Sequence, residues 1–202
     1  MTRNRDLVFV DTGAWIALAL TRDPLHDRAR AAWEELLDRG ARLATSVPVV
    51  LDADAITMLV DGKHADDLRR RDAPLVITPH DGEFQRLAGE APGSDRVGAA
   101  CKLAAWINGV VLLKGDRTIV ATPAGKVWVN STGSSALATA GSGDVLAGLL
   151  GSLLAGGLAP DRAAIAAAYV HGLAGRRAAE DGPVASPHVA GALRSVVADL
   201  LA

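Results

Sequence analysis

A glycine-rich tetrapeptide, Gly141-Ser142-Gly143-Asp144, stands directly before a long apolar segment that carries no charge until Asp161. The first N–H groups of a helix have no partner within the helix, and the helix dipole favours negative charge there. A helix that starts in this way binds phosphate, and Asp144 would lie beside it as a base for a hydroxyl proton. The tetrapeptide therefore indicates phosphoryl chemistry, or else a plain turn in which Asp144 only caps the helix.

Two common phosphate-binding motifs do not account for this tetrapeptide. Leu146 stands where the third glycine of G-x-G-x-x-G would be. A Walker loop requires Gly-Lys-Ser/Thr, which the tetrapeptide lacks. The predicted anion site is therefore of another kind.

Two further polar segments follow apolar runs that are typical of buried strands. The pentapeptide 114–118, Lys-Gly-Asp-Arg-Thr, comes directly after Val110–Leu113, and His80 and Glu83 follow Leu75–Thr78. Ligands of open α/β sheets bind at the carboxyl ends of strands, so both segments are candidates for a ligand site. Taken singly, each fits an ordinary solvated loop equally well.

Apolar runs separated by Gly and Pro predict the elements that would position these segments. The predicted strands are Leu7–Val10, Arg42–Thr45, Val47–Leu51, Leu75–Thr78, Val110–Leu113, Thr118–Ala121 and Lys126–Asn130. The predicted helices are Trp15–Leu20, Asp27–Arg39, Asp95–Asn108, Val145–Ala155, Ala159–Glu180 and Pro187–Leu201. The alternation before residue 115 predicts an α/β protein, with a layered and mostly parallel sheet and flanking helices. His171, inside a predicted helix, is interpreted as a packing residue.

Composition excludes several classes of function. The chain has 202 residues, of which 50% are hydrophobic and 22% charged, so it can bury a sizeable core. A net charge of −2 offers no basic surface for nucleic acid or for a membrane. The single cysteine, Cys101, excludes an internal disulfide, and neither a spanning helix nor an export signal is expected. We therefore expect a cytoplasmic protein, whose charge does not identify a partner; a homo-oligomer is compatible with the sequence.

The order of these strand ends and motifs is specific. The stretches that carry it are Val50–Ile56, Ile77–Glu83, Val111–Gly115, Asn130–Gly133 and Leu137–Gly148. From residue 49 onward, over about three quarters of its length, the chain resembles the ADP-dependent NAD(P)H-hydrate dehydratases of the ribokinase-like superfamily.

The resemblance implies the repair of NADH or NADPH whose nicotinamide ring has been hydrated. The ring hydroxyl would be phosphorylated from ADP, and loss of phosphate would restore the double bond, leaving AMP and inorganic phosphate. The resemblance implies that Asp144 contacts the substrate and acts as the base, and that the amides of Gly141, Ser142 and Gly143 donate to the transferred phosphate. The AMP part of the nucleotide would be lined by Lys114, Gly115, Asp116, Arg117 and Thr118. His80 would contact the hydrated nicotinamide nucleotide, and Glu83 would act on Mg²⁺ indirectly, without binding it.

Residues 7–46 instead resemble the start of a PIN-domain nuclease, through Val8–Ala17 and Ala44–Ser46. The carboxylate that matches Asp11 belongs, in those nucleases, to a magnesium-binding cluster. A single carboxylate cannot hold such a site, so we expect the nuclease chemistry to be lost.

The two resemblances together predict a domain organisation. We expect a PIN-like strand-helix-strand segment, residues 1–46, fused to a ribokinase-like domain, residues 47–202, that is truncated on its N-terminal side. The segment could dock on the exposed edge of the truncated sheet. Three hypotheses follow: a dehydratase whose turnover is impaired, a magnesium-dependent PIN-type ribonuclease, and an inactive module that binds adenylate.

Overall fold

The computed structural model describes residues 7–9, 26–38, 42–44, 48–57, 59–60, 69, 73–180 and 182–202. The chain divides into two compact units, residues 1–47 and residues 48–202. The predicted helix Trp15–Leu20 and the carboxylate Asp11 lie outside the described residues. The residues predicted to bind adenylate and phosphate all belong to the second unit.

The first unit contains one strand-helix-strand arrangement. Strand β1 is Leu7–Phe9, helix α1 is His26–Asp38 and strand β2 is Arg42–Ala44. The two strands pair in parallel, as a helical crossover between them allows. These three elements confirm the predicted ones to within about two residues, an ordinary uncertainty for element ends. Docking of this segment on the larger sheet stays a prediction.

The second unit is built on a five-stranded mixed sheet. Its strands, in spatial order, are β3 Val49–Leu51, β4 Leu75–Ile77, β5 Val110–Leu113, β6 Ile119–Ala121 and β7 Val127–Val129. The first three strands run parallel, whereas β6 pairs antiparallel with both β5 and β7, to which short connections join it. The α/β class is confirmed, with β6 as the antiparallel strand of the sheet.

Helices cover both faces of this sheet. They are α2 Asp54–Thr57, α3 Asp81–Ala88, α4 Arg96–Ile107, α5 Ser142–Ala155, α6 Pro160–Ala178 and α7 Ser186–Leu201, with a 3₁₀ turn at Ser135–Leu137. The four longer helices among these confirm the predictions. Helix α3 was not predicted, because its eight residues are too few to show a clear helical period.

Alternate residues of the strands face the two layers of helices, as the period of two in a strand requires. Ile77 and Leu113 pack with Phe84 of α3 and Leu103 of α4. The other face of the sheet packs against α5 and α6 through a second cluster, in which four buried alanines of α6 allow close approach. The burial fixes the register of the strands, so their carboxyl ends are held firmly at one edge.

Candidate active site

The carboxyl ends of β3, β4 and β5 bring four polar side chains together. Nζ of Lys114, after β5, lies 2.8 Å from Oδ1 of Asp52, after β3, and 3.5 Å from Oε2 of Glu83. The hydroxyl of Thr78, after β4, donates to the same Asp52 oxygen over 2.7 Å. These side chains are largely buried, so the ammonium is held firmly between two carboxylates.

Helix α3 begins with a reciprocal cap between His80 and Glu83. Nδ1 of His80 accepts from the N–H groups of Gly82 at 3.0 Å and Glu83 at 3.2 Å, while Oε2 of Glu83 accepts from the His80 N–H at 2.8 Å. Because Nδ1 accepts, the proton of the neutral ring is on Nε2. The His80 side chain is about half exposed, and its Nε2 lies 3.4 Å from Oε1 of Glu83.

The predicted anion site is the start of α5. Gly141 precedes the helix with a φ of 79°, in the left-handed region that glycine adopts readily. The Ser142 N–H donates to the Thr139 carbonyl over 3.2 Å. Among the residues that the structure describes, the N–H groups of Gly141, Gly143 and Asp144 are the ones left without a protein acceptor at this turn. The predicted set of three amide donors thus changes by one member.

The ammonium of Lys114 and this helix start are neighbours. A Cβ added at Gly143 would lie 3.4 Å from Nζ of Lys114 and 3.5 Å from Oδ2 of Asp52. The Lys114 ammonium, paired with Asp52, and the free amide of Gly143 are therefore neighbours, and groups of both kinds bind phosphate oxygens.

Behind the helix start, two buried side chains meet. Nε2 of His171, on α6, lies 3.2 Å from Oγ of Ser142. Burial lowers the pKa of His171; a hydrogen bond to the Ser142 backbone opposes this, and the nearby Lys114 charge lowers the pKa further. The imidazole is therefore neutral at neutral pH.

A cavity of about 670 Å³ opens over these groups. The predicted site residues that line it are His80, Lys114, Gly115, Asp116, Thr118, Ser142 and Gly143. Three others, Gly141, Asp144 and Arg117, belong to the same loops without lining the cavity, and Glu83 lies beneath it. Asp144 is exposed on the first turn of α5, with no hydrogen-bond or ion-pair partner among the described residues.

Arg96 is a member of the site that the sequence did not reveal. Its guanidinium donates to both oxygens of Asp81, at 2.6 and 2.7 Å, and to the Lys114 carbonyl at 2.9 Å. A Cβ at Gly115 would lie 2.6 Å from Nη2 of Arg96, so any larger residue at 115 would shift the guanidinium from its present position. This contact ties α4 to the loop after β5.

Asp52, Asn130 and His171 were also missed. Asp52 follows a strand just as Lys114 does, so its position at a strand end could have identified it. Asn130 lines the cavity, and its Nδ2 donates to the Ala168 carbonyl over 3.0 Å. No local pattern distinguishes His171 from a packing histidine, because its partner Ser142 is 29 residues away.

The acidic residues of this site do not form a metal cage. Within the described ranges, no group of three or more His, Cys, Asp or Glu side chains is placed to hold a metal ion. Both oxygens of Glu83 already face His80 and Lys114, which fits an indirect role toward magnesium. In the same ranges, no helix combines the length and apolar character needed to cross a membrane.

Comparison with known proteins identifies relatives of this site. The profile of the NAD(P)H-hydrate dehydratase family matches residues 28–193. The bifunctional NAD(P)H-hydrate repair enzyme Nnr of Mycobacterium leprae (strain TN) is 50% identical over 161 residues, which are 79% of this chain and 34% of that protein. The ADP-dependent (S)-NAD(P)H-hydrate dehydratase of Neisseria meningitidis serogroup B (strain MC58) is 43% identical over 150 residues, 73% of this chain and 51% of that protein. The chain thus spans about a third to a half of the length of these curated relatives.

Solved structures agree with this relationship. The ADP/ATP-dependent NAD(P)H-hydrate dehydratase from Bacillus subtilis, co-crystallised with ATP/Mg²⁺ and soaked with CoA, has a TM-score of 0.68 and 29% identity, covering 84% of this chain and 62% of that one. A ribokinase-like superfamily protein from Enterococcus faecalis V583 has a TM-score of 0.63 and 26% identity, covering 96% of this chain and 63% of that one. The ribokinase-like fold is therefore confirmed.

The origin of residues 7–46 is not established by these comparisons. The family match begins at residue 28, inside the segment that resembles a PIN-domain nuclease, so that resemblance stays a prediction. The match covers most of the chain and every residue of the site described above. The chain belongs to the NAD(P)H-hydrate dehydratase family.

Proposed function

We propose that this chain dehydrates hydrated NADH or NADPH at the expense of ADP, which makes it a lyase of metabolite repair. One observation carries the proposal: the Lys114 ammonium and the free Gly143 amide lie together on the wall of a large cavity. That combination binds phosphate groups, as the family relationship leads one to expect. The single cysteine suits a reaction in the reducing cytoplasm.

The proposed chemistry has two steps. The ring hydroxyl oxygen of the hydrate forms a bond to the β-phosphorus of ADP, and the bond from that phosphorus to the bridging oxygen breaks, releasing AMP. Asp144 takes the hydroxyl proton. The ring then loses inorganic phosphate and a proton from the adjacent carbon, which restores the double bond of the nicotinamide.

The protein groups would act mainly through positioned charge. Negative charge grows on the oxygens of the transferred phosphate, and the amides of Gly141 and Gly143 with the Lys114 ammonium stabilise it. Asp144 is exposed and unpaired among the described residues, so its carboxylate is available to accept a proton. Mg²⁺, when bound with the nucleotide, would neutralise phosphate charge, with Glu83 acting on it only indirectly.

The size of the cavity favours one nucleotide within it. Ligand sites for small molecules usually occupy about 300–1,000 Å³. At about 670 Å³ the cavity suits the adenine nucleotide, with residues 114–118 around its AMP part. The hydrated nicotinamide nucleotide would approach from the side of His80, whose Nε2–H can donate to an acceptor oxygen.

The test is to incubate the purified chain with NADH hydrate, ADP and Mg²⁺, and to follow the return of NADH absorbance. The proposal predicts recovery that depends on ADP, with one AMP and one phosphate formed for each NADH. Binding of AMP without recovery would reduce the chain to an adenylate-binding module. Cleavage of single-stranded RNA with no adenylate binding would favour the nuclease alternative.

A further inference from the structure

The start of α5 lacks the usual side-chain cap. Gly141 precedes the helix and has no side chain, and no side-chain hydrogen bond satisfies the first turn. Glycine is tolerated at such a start with little loss of helix stability, but it offers the first turn no side-chain acceptor, unlike Ser, Thr, Asp or Asn. Gly141 has a φ of 79°, in the left-handed region, and glycine is the residue with the greatest backbone freedom. Other contacts must therefore keep this turn in one conformation.

Two hydrogen bonds of Ser142 supply that restraint. Its N–H donates to the Thr139 carbonyl, and its hydroxyl lies 3.2 Å from Nε2 of His171. Ser142 and His171 are only 4% and 6% exposed, so the contact between their side chains is shielded from water. A shielded hydrogen bond that has no competing water restrains the groups it joins.

His171 is itself held on a rigid element. It lies in the middle of α6, whose neighbouring Gly172 packs directly against Thr132. The Thr132 hydroxyl donates to the Tyr169 carbonyl over 2.9 Å, which ties the loop after β7 to the same helical turn. His171 thus connects the first turn of α5 to a fixed part of the core.

We propose that His171 is a positioning residue, which acts through the Ser142 hydroxyl to hold the turn Gly141–Asp144 in its phosphate-binding conformation. That the anion is a nucleotide phosphate rests on the proposed function, whereas the restraint of the turn by His171 rests on the structure alone. Neutral imidazole either donates to or accepts from the hydroxyl, so the contact holds with either tautomer. Without the contact between His171 and Ser142, the backbone of Gly143 and Asp144 would not be held in one conformation.

Four variants separate this role from simple packing. His171→Phe keeps a planar ring and removes the nitrogen, whereas His171→Gln keeps a polar atom that can reach Ser142. Ser142→Ala removes the hydroxyl partner of the ring and leaves both α6 and the backbone of residue 142 in place. The fourth is the double variant of His171→Phe with Ser142→Ala, because two partners of one bond should not have additive effects.

The first measurement is amide hydrogen exchange on the ligand-free full chain. We expect the amides of Ser142 and Val145, which donate to the carbonyls of Thr139 and Gly141 within this turn, to exchange about threefold to tenfold faster in His171→Phe, the effect of losing one hydrogen bond. In Ser142→Ala the Val145 amide should show the same acceleration. The double variant should be no faster than either single variant, and His171→Gln should restore slow exchange. Amides of β5 serve as the internal reference for global unfolding. Unchanged exchange at Val145 in Ser142→Ala would overturn the proposal even if His171→Phe failed to fold.

The second measurement is ADP affinity by calorimetry, because ADP carries the phosphate that this turn would hold. The same variants should bind ADP about tenfold more weakly, with His171→Gln close to the wild type. An affinity unchanged in both His171→Phe and Ser142→Ala would also overturn the positioning role. If the wild type binds no ADP, the proposed function fails, while the exchange measurement still decides whether His171 holds the turn.

Discussion

The ammonium of Lys114 lies 2.8 Å from Oδ1 of Asp52, although the two residues are 62 positions apart in the chain. They follow β5 and β3, the strands on either side of β4 in the parallel part of the sheet. Parallel pairing places both strand ends at one edge, and burial then holds the ion pair beside Gly143. The site is thus a consequence of strand order.

Replacing Lys114 by Met should remove the cation of this cluster. The buried carboxylates of Asp52 and Glu83 would lose their counter-charge, so we expect the free energy of unfolding to fall by about 3 kcal/mol. AMP affinity should fall at least about tenfold, because charge-assisted contacts to phosphate are the stronger ones. Urea denaturation and calorimetry check both values. Lys102→Met, at an exposed position of α4, is the control and should change neither.

Gly143→Ala should separate stability from binding. The added Cβ would stay in ordinary contact with Lys114 and Asp52, and alanine favours a helix by about 0.5–1 kcal/mol over glycine. The methyl group, however, occupies the space beside the ammonium that a phosphate oxygen needs. We expect unchanged or higher stability and ADP binding weakened at least about tenfold. The control is Gly148→Ala on the same helix, where an added Cβ meets nothing within 4 Å. Equal ADP affinity in the two variants would remove Gly143 from the site.

His80 has two separable tasks, capping α3 and donating from Nε2. Asn is among the best N-cap residues, so His80→Asn should keep the stability that His80→Ala loses, about 1 kcal/mol. Both variants lack the Nε2 donor, so both should raise the KM for the hydrated nucleotide. Thermal unfolding and steady-state kinetics check this. Recovery of wild-type KM in His80→Asn would show that His80 acts only as a cap.

Asp144→Ala should abolish proton transfer without disturbing the nucleotide. Loss of a general base typically lowers the rate about a hundredfold or more, while the adenylate contacts of the cavity remain. Steady-state kinetics and AMP calorimetry measure the two effects. The matched control is Asp161→Ala, another acidic residue in the first turn of a helix, which should keep full activity. An unchanged rate in Asp144→Ala would remove Asp144 from the mechanism.

The stability of the protein should depend on the protonation of His171. Its pKa in the folded state is lowered from 6.5, mainly by burial, so the unfolded chain binds a proton more readily. The contribution of the neutral His171 to the free energy of unfolding is therefore fully present above about pH 6.5. Below that pH, the free energy of unfolding falls by up to about 1.4 kcal/mol for each pH unit, until the pKa of the folded state is reached. Urea denaturation between pH 5 and 8, roughly the range in which histidine titrates, should show a steeper loss in the wild type than in His171→Phe. Parallel curves would contradict the prediction.

Local sequence patterns predicted the glycine-rich start of α5 and the loop after β5 as candidate ligand sites, because a glycine-rich helix start and a strand followed by lysine are recognisable within a few residues. They also predicted the hairpin β6–β7 and the three long helices at the end of the chain. What they did not reveal depends on distant pairing. Arg96 reaches Lys114 across 18 residues, and His171 meets Ser142 across 29.

The most direct test of the central claim is a crystal structure of the full chain grown with ADP and Mg²⁺. The account predicts the diphosphate between Nζ of Lys114 and the amide of Gly143, with the adenosine part along residues 114–118. A nucleotide bound elsewhere, or a cavity that stays empty at millimolar ADP, would contradict it.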